Sequence, residues 1–147
     1  MQWVIVGSQN STQVKNKNTT TLRYNQMNVI NADYFERKLD DKRRLTIPVE
    51  ARAEFESGAV ITRGFGRYLH LYSKSAWNEL MEPALLGSIL DERVADLNVQ
   101  FRSGKIDTVL DQKQGRITLE QHHIDYAGIE KDVVAVRAGK YWRLMAK

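Results

Sequence analysis

Asp40-Asp41-Lys42-Arg43-Arg44-Leu45-Thr46-Ile47-Pro48 and Asp111-Gln112-Lys113-Gln114-Gly115-Arg116-Ile117-Thr118-Leu119-Glu120 are two versions of one phrase. Each opens on an aspartate, passes a lysine to reach an arginine, and runs into an apolar-Thr-apolar segment. The two aspartates stand 71 positions apart and the two arginines 72. The likeness continues downstream, where VITRGFGRYLHLY (residues 60–72) returns as VAVRAGKYWRLM (residues 134–145), at offsets of 74 and then 73. Such a duplication implies a pseudo-twofold molecule, a shape suited to pairing with a duplex or with another copy of itself.

A chain of 147 residues forms one compact domain or two small units around a shared core. No segment approaches the roughly 18 consecutive apolar residues of a membrane helix, and the N-terminus lacks the basic-then-apolar layout of a secretory signal. The chain has no cysteine, which excludes disulfides and thiolate metal sites and fits a cytoplasmic setting.

The net charge of +4 is unevenly spread. Residues 63–74 carry Arg63, Arg67 and Lys74 with no acid, and residues 137–147 carry Arg137, Lys140, Arg143 and Lys147 with no acid. Between the repeats, Glu79, Glu82, Asp91, Glu92 and Asp96 outnumber Arg93 and Arg102. Either this is ordinary solvated surface, or the repeats turn a basic face to a polyanion while the linker does not.

Four segments emerge. Residues 1–31 are rich in Asn, Thr, Gln and Ser and are expected to be a flexible extension, with Met27 as a candidate internal start. Residues 32–74 form the first unit, with a turn at 40–44, a strand at 45–47, a helical turn opened by Pro48 and stopped at Gly58, and strands at 60–63 and 68–72 around Gly64-Phe65-Gly66. Residues 105–147 repeat this plan, with strands at 117–119, 133–137 and 141–145 and a helix ending at Gly128. In the linker, 75–104, Trp77, Leu80, Met81, Leu85, Ile89, Val94, Leu97 and Phe101 follow helical spacing. Ser75 is the expected cap, Pro83 the restart of a second segment and Gly104 the end. The stripe is expected to be core or subunit contact.

No convergent catalytic set is visible. His122 and His123 are adjacent and do not share a helix face, which makes a poor chelate. Asp40 and Asp41 stand beside Lys42, Arg43 and Arg44, which neutralise them without a metal. There is no glycine-rich phosphate loop and no nucleophile elbow. The repeated Asp-to-Arg turn carries the stronger signal, because an aspartate in a tight turn accepts backbone and guanidinium hydrogen bonds and fixes its arginine. A fixed arginine presents a planar fork to phosphate or to the edge of guanine. It also simply rigidifies a hairpin, and the residues alone leave both roles open.

Leu39 to Pro48, Leu110 to Glu120, the segment 60–72 with Trp77, and residues 126–134 together resemble the MraZ family, in order, from about Tyr34 to Met145. The resemblance implies a β-rich α+β fold of two tandem swapped-hairpin units of the SpoVT-AbrB and MazE kind, packed as a pseudo-dimeric β-barrel bridged by the helical linker. It implies a non-enzymatic, sequence-specific DNA-binding transcriptional regulator of the bacterial division and cell wall gene cluster, most simply a repressor, nucleoid-associated in the cytoplasm. Its partners would be double-stranded DNA carrying promoter repeats and other copies of itself in a ring-like homo-oligomer, with no metal, cofactor, membrane or small-molecule substrate. Carried over by position, Lys42, Arg43, Arg44, Lys113 and Arg116 are the DNA-contact candidates, and Asp40 and Asp111 organise them. The alternative is an antitoxin-like module that engages a protein partner through its N-terminal extension.

Three residues depart from the family phrase. Arg43 replaces a glycine, the second turn contains one extra residue, and Glu120 replaces a proline. The arginine is expected to impose an ordinary φ on the first turn and to add a phosphate contact, leaving the looser geometry to Gly115.

Overall fold

A computed structural model describes residues 33–147. The extension expected over residues 1–31, and Met27 within it, lie outside these residues. The chain is α+β and rich in strand, with eight strands among the described residues.

Six strands form one antiparallel sheet in the order β1 (Tyr34–Lys38), β7 (Asp132–Arg137), β8 (Trp142–Ala146), β4 (Leu69–Ser73), β3 (Ala59–Arg63) and β5 (Ile106–Thr108). The other two, β2 (Arg44–Thr46) and β6 (Arg116–Thr118), pair with each other as a separate ribbon. The pairings come in matched sets. Phe35 of β1 lies opposite Ala135, and its positional counterpart Ile106 of β5 lies opposite Ile61, the counterpart of Ala135. Leu45 lies opposite its own counterpart Ile117, and His70 opposite its counterpart Arg143. The outermost strand of each half therefore pairs with the other half.

Sequence reading places the motif strands one residue late and misses β1 and β5. Both are edge strands paired on one side only, and β5 has just three residues, too few for an alternation to register. In β1 the charged Glu36, Arg37 and Lys38 mask a strand whose one deeply buried side chain is Phe35.

The main core lies between the ribbon and the facing side of the sheet. Leu45, Ile47, Ile117 and Leu119 enter it from the ribbon segments, and Ile61, Leu69, Leu71, Val133, Ala135, Trp142 and Leu144 from the sheet. Every one of these is essentially inaccessible, so burial of each larger side chain contributes about 1.5–3 kcal/mol. Two short helices close the sides. The first is α1 (Val49–Arg52), entered through Pro48 and tightened into a 3-10 turn at Ala53–Phe55; the second is α5 (Gln121–Ala127), ended by Gly128 at φ 65°. Glu120, where the resemblance leads one to expect proline, has a structural use: it forms a reciprocal capping box with His123 at the start of α5. His123 is fully buried, accepts the Glu120 amide at Nδ1 and bonds the Gly104 carbonyl through Nε2 at 2.7 Å. Burial lowers its pKa, which keeps the ring neutral.

The other side of the sheet is covered by the linker, where Val60 and Tyr72 meet Trp77, Leu85 and Phe101. His70 shares this layer, with ring contacts to Tyr68, Tyr72, Phe101 and Tyr141, and burial pushes its pKa down to about 4.

The linker differs from the continuous stripe expected. Ser73, not Ser75, caps its start by accepting the Ala76 amide, while Ser75 bonds Ser57. The helix runs unbroken through α2 (Lys74–Ala76), a π-helical turn at Trp77–Met81 and α3 (Glu82–Ala84), so Pro83 does not restart it. The widened turn ends at Met81, with Glu82 between it and the proline, whose missing N–H already weakens the ladder there. After a non-helical break, α4 (Glu92–Arg102) follows, capped by Asp91. Trp77, Leu85 and Phe101 are buried, yet Leu80 and Leu97 are exposed, and Ile89, which lies in the break itself, is 94% exposed.

Glu82 ties the two linker segments together, accepting Arg102 at 2.9 and 3.2 Å and the Trp77 indole N–H at 2.7 Å. The Arg102 bonds first, and the indole second, hold its carboxyl down at about 2 from an ordinary 4.5. A carboxylate lowered on folding stabilises fully above its unfolded value and loses that contribution as pH falls through the folded one. Glu82→Gln is therefore expected to lower stability at neutral pH and to flatten the acid limb between pH 4.5 and about 2, read from urea midpoints across that range.

Candidate nucleic-acid interface

Three-residue strands with alternating burial turn Leu45 and Ile117 inward and leave Arg44, Thr46, Arg116 and Thr118 on the opposite face. Arg44 faces Thr118 across the pair and Thr46 faces Arg116, so the arginines occupy diagonal corners. Thr46 and Thr118 were not singled out in the sequence, although strand alternation alone places them beside the arginines.

Each arginine is held by its aspartate. In the first turn Asp40 Oδ1 accepts the amides of Lys42 and Arg44, both at 2.9 Å, and Oδ2 accepts Arg44 Nε at 2.5 Å. In the second, Asp111 Oδ1 accepts the amides of Lys113 (3.1 Å) and Gln114 (2.7 Å), and Oδ2 accepts Arg116 N (3.1 Å) and Nε (2.8 Å). The Asp40 carboxylate also lies 3.9 Å from Arg116 Nη1, which links the two turns. The Arg116 guanidinium and the Gln114 amide hold the Asp111 carboxyl well below its ordinary value. Burial alone would raise Asp40, but the Arg44 amide and guanidinium and the Lys42 amide together lower it. Both carboxylates therefore remain charged near neutrality. Nε of each arginine is engaged, and the side chains stay 29% and 25% exposed. Lys42 and Lys113 are exposed at the tips of the turns.

Arg43 does not behave as expected. Its φ is 61°, matching the 65° of Gly115 at the equivalent place before the motif arginine. The turn, not the residue type, sets this conformation: the Arg43 amide must close on the Asp40 carbonyl (3.1 Å), as the Gly115 amide closes on Asp111 (3.1 Å). The extra residue of the second turn widens that closure by one position and leaves its end unchanged. A side chain held at this φ costs about 1–2 kcal/mol. Arg43 offsets part of that by donating from Nε to the Leu119 carbonyl at 3.0 Å, so its side chain lies along the ribbon and is partly buried. Arg43→Ala is thus expected to be less stable than Arg43→Gly by about 1 kcal/mol, the reverse of the usual order at an ordinary φ; chemical denaturation of the two variants measures it.

Asp40 and Asp41 face Lys131, Asp125 and Glu130 across a cleft of about 510 Å³. Among the described residues no three His, Asp or Glu side chains are placed to hold a metal ion, and no helix is long and apolar enough to cross a membrane.

Residues 32–93 match the family model described as "MraZ protein, putative antitoxin-like". The "Transcriptional regulator MraZ" of Kocuria rhizophila is 36% identical over 105 residues, covering 71% of this chain and 73% of that protein. The protein of the same name from Dictyoglomus turgidum is 36% identical over 109 residues, 74% of each chain. That from Micrococcus luteus is 34% identical over 102 residues, 69% of this chain and 71% of its own. At this level of identity over this share of both chains, the chain belongs to the MraZ family.

Proposed function

We propose that this protein is a transcriptional regulator that binds double-stranded DNA through the outward face of the β2–β6 ribbon. One observation carries the reading: two arginines, each fixed by an aspartate in a tight turn, stand on the exposed face of a two-stranded antiparallel ribbon. Such a ribbon is narrow enough to enter the major groove. Arg44 and Arg116 would read base edges, Thr46 and Thr118 would lie against them, and Lys42 and Lys113 would bind flanking phosphates. Arg43 contributes charge, although its Nε is engaged with Leu119. The description of its relatives as transcriptional regulators supports the regulatory role.

The matched strand pairings support two tandem swapped-hairpin units, 32–74 and 105–147, forming a pseudo-dimeric barrel with 75–104 as its linker. Repeated promoter boxes of the division and cell wall cluster, bound by a nucleoid-associated homo-oligomer that represses transcription, complete the proposal. In such an assembly, avidity across the boxes multiplies a modest affinity per ribbon.

Titration against the DNA upstream of its own gene and against a scrambled duplex, at two salt concentrations, tests this. Arg44→Ala and Arg116→Ala should each lose about 1–3 kcal/mol of discrimination. Lys42→Ala and Lys113→Ala should weaken both duplexes alike and lower the salt slope by roughly one contact each. Equal affinity of the unaltered protein for both duplexes would overturn sequence-specific binding.

A further inference from the structure

The positive φ before each motif arginine has a second effect. The ribbon register continues past the strands, with Arg43 opposite Leu119 and Gly115 opposite Ile47, and the Leu119 and Ile47 amides donate to the Arg43 and Gly115 carbonyls at 2.9 and 2.8 Å. The return bonds are missing, because the Arg43 and Gly115 amides are turned inward to Asp40 and Asp111. The Leu119 and Ile47 carbonyls are thereby left without their ladder donors at the edge of the core, and an orphaned carbonyl there is costly.

A guanidinium fills each vacancy, from opposite sides. Arg43 Nε reaches the Leu119 carbonyl at 3.0 Å, and Arg52 Nε reaches the Ile47 carbonyl at 2.7 Å. Arg52 closes α1, and its counterpart in α5 is Ile124, an apolar residue that leaves the corresponding space to Arg43. Conversely, a Cβ on Gly115 would stand 2.2 Å from Arg52 Nε and 2.7 Å from its Cδ and Cζ. Each half therefore admits one guanidinium: arginine in the turn with isoleucine in the helix, or glycine in the turn with arginine in the helix.

We infer that Arg52 is a positioning residue for the proposed DNA-contacting ribbon, fixing the turn that holds Arg116, and that Arg43 does the same for Arg44. The inference rests on the reading above for its functional consequence, while its geometry stands apart from DNA. Arg52 donates to the Ile47 carbonyl beside Gly115, so its effect on binding would pass through the turn that holds Arg116.

The test is exchange of the arginine Nε–H protons in the full-length protein, with Arg44 as internal control. Arg52→Ala should speed exchange at Arg116 by about tenfold, as expected for loss of a bond from a charged donor, and leave Arg44 unchanged. Arg52→Ile combined with Gly115→Arg, which copies the first turn into the second, should restore slow exchange at Arg116. Equal acceleration at both arginines, no acceleration at Arg116, or failure of the double variant to restore it would each overturn the inference. Operator titrations of the same variants report separately on the DNA reading: if the unaltered protein does not prefer its operator, that reading fails while the exchange data still decide the role of Arg52.

Discussion

The antiparallel pairing of β2 with β6, centred on Leu45 opposite Ile117, is the constraint on which the rest depends. Because the register is symmetric about that pair, a single alternation does two jobs at once. It sends Leu45, Ile47, Ile117 and Leu119 into the core and leaves Arg44, Thr46, Arg116 and Thr118 outside. A slip of one residue would reverse both sets together, placing arginines in the core and leucines in water. The large sheet is the surface against which this register is enforced, and the exchange of β1 and β5 between halves makes that sheet a joint product of both repeats.

The aspartate turns fix where the ribbon begins. Each carboxylate collects backbone amides and one guanidinium, so backbone direction and arginine pose are determined by the same group. The cost is a left-handed residue before the arginine, and the two halves accommodate it differently. Gly115 removes the side chain and lets Arg52 cover the open carbonyl, whereas Arg43 keeps the side chain and covers the carbonyl itself. Pseudo-symmetry is thus preserved in hydrogen bonding while it is broken in sequence.

Much of this was legible in the residues. The paired phrases marked both turns, Gly128 marked the end of α5, and residues 60–72 and 134–145 marked the two hairpins nearly to the residue. Four features were hidden for physical reasons. β1 and β5 are charged or very short edges whose partners lie about 100 and about 47 positions away, and no local pattern encodes such pairing. The conformation of Arg43 was misjudged because residue propensity argued for an ordinary φ, whereas closure on Asp40 dictated the left-handed one. The linker stripe has helical spacing throughout, but the chain leaves the helix before Asp91, so Ile89 falls in the break and faces solvent while Trp77 and Phe101, on the helices to either side, are buried. Arg52 carried no sequence signal, since its role exists only once the ribbon has formed.

The most direct measurement is a side-chain NMR titration of the full-length protein with a short duplex from its own upstream region. Shifts should concentrate on the Arg44 and Arg116 guanidinium groups and the Thr46 and Thr118 methyls, leaving His70, Trp77 and α4 on the far side of the sheet unmoved. Shifts that cluster on α4 or on the outer face of the sheet, with the ribbon unaffected, would contradict DNA recognition by the ribbon.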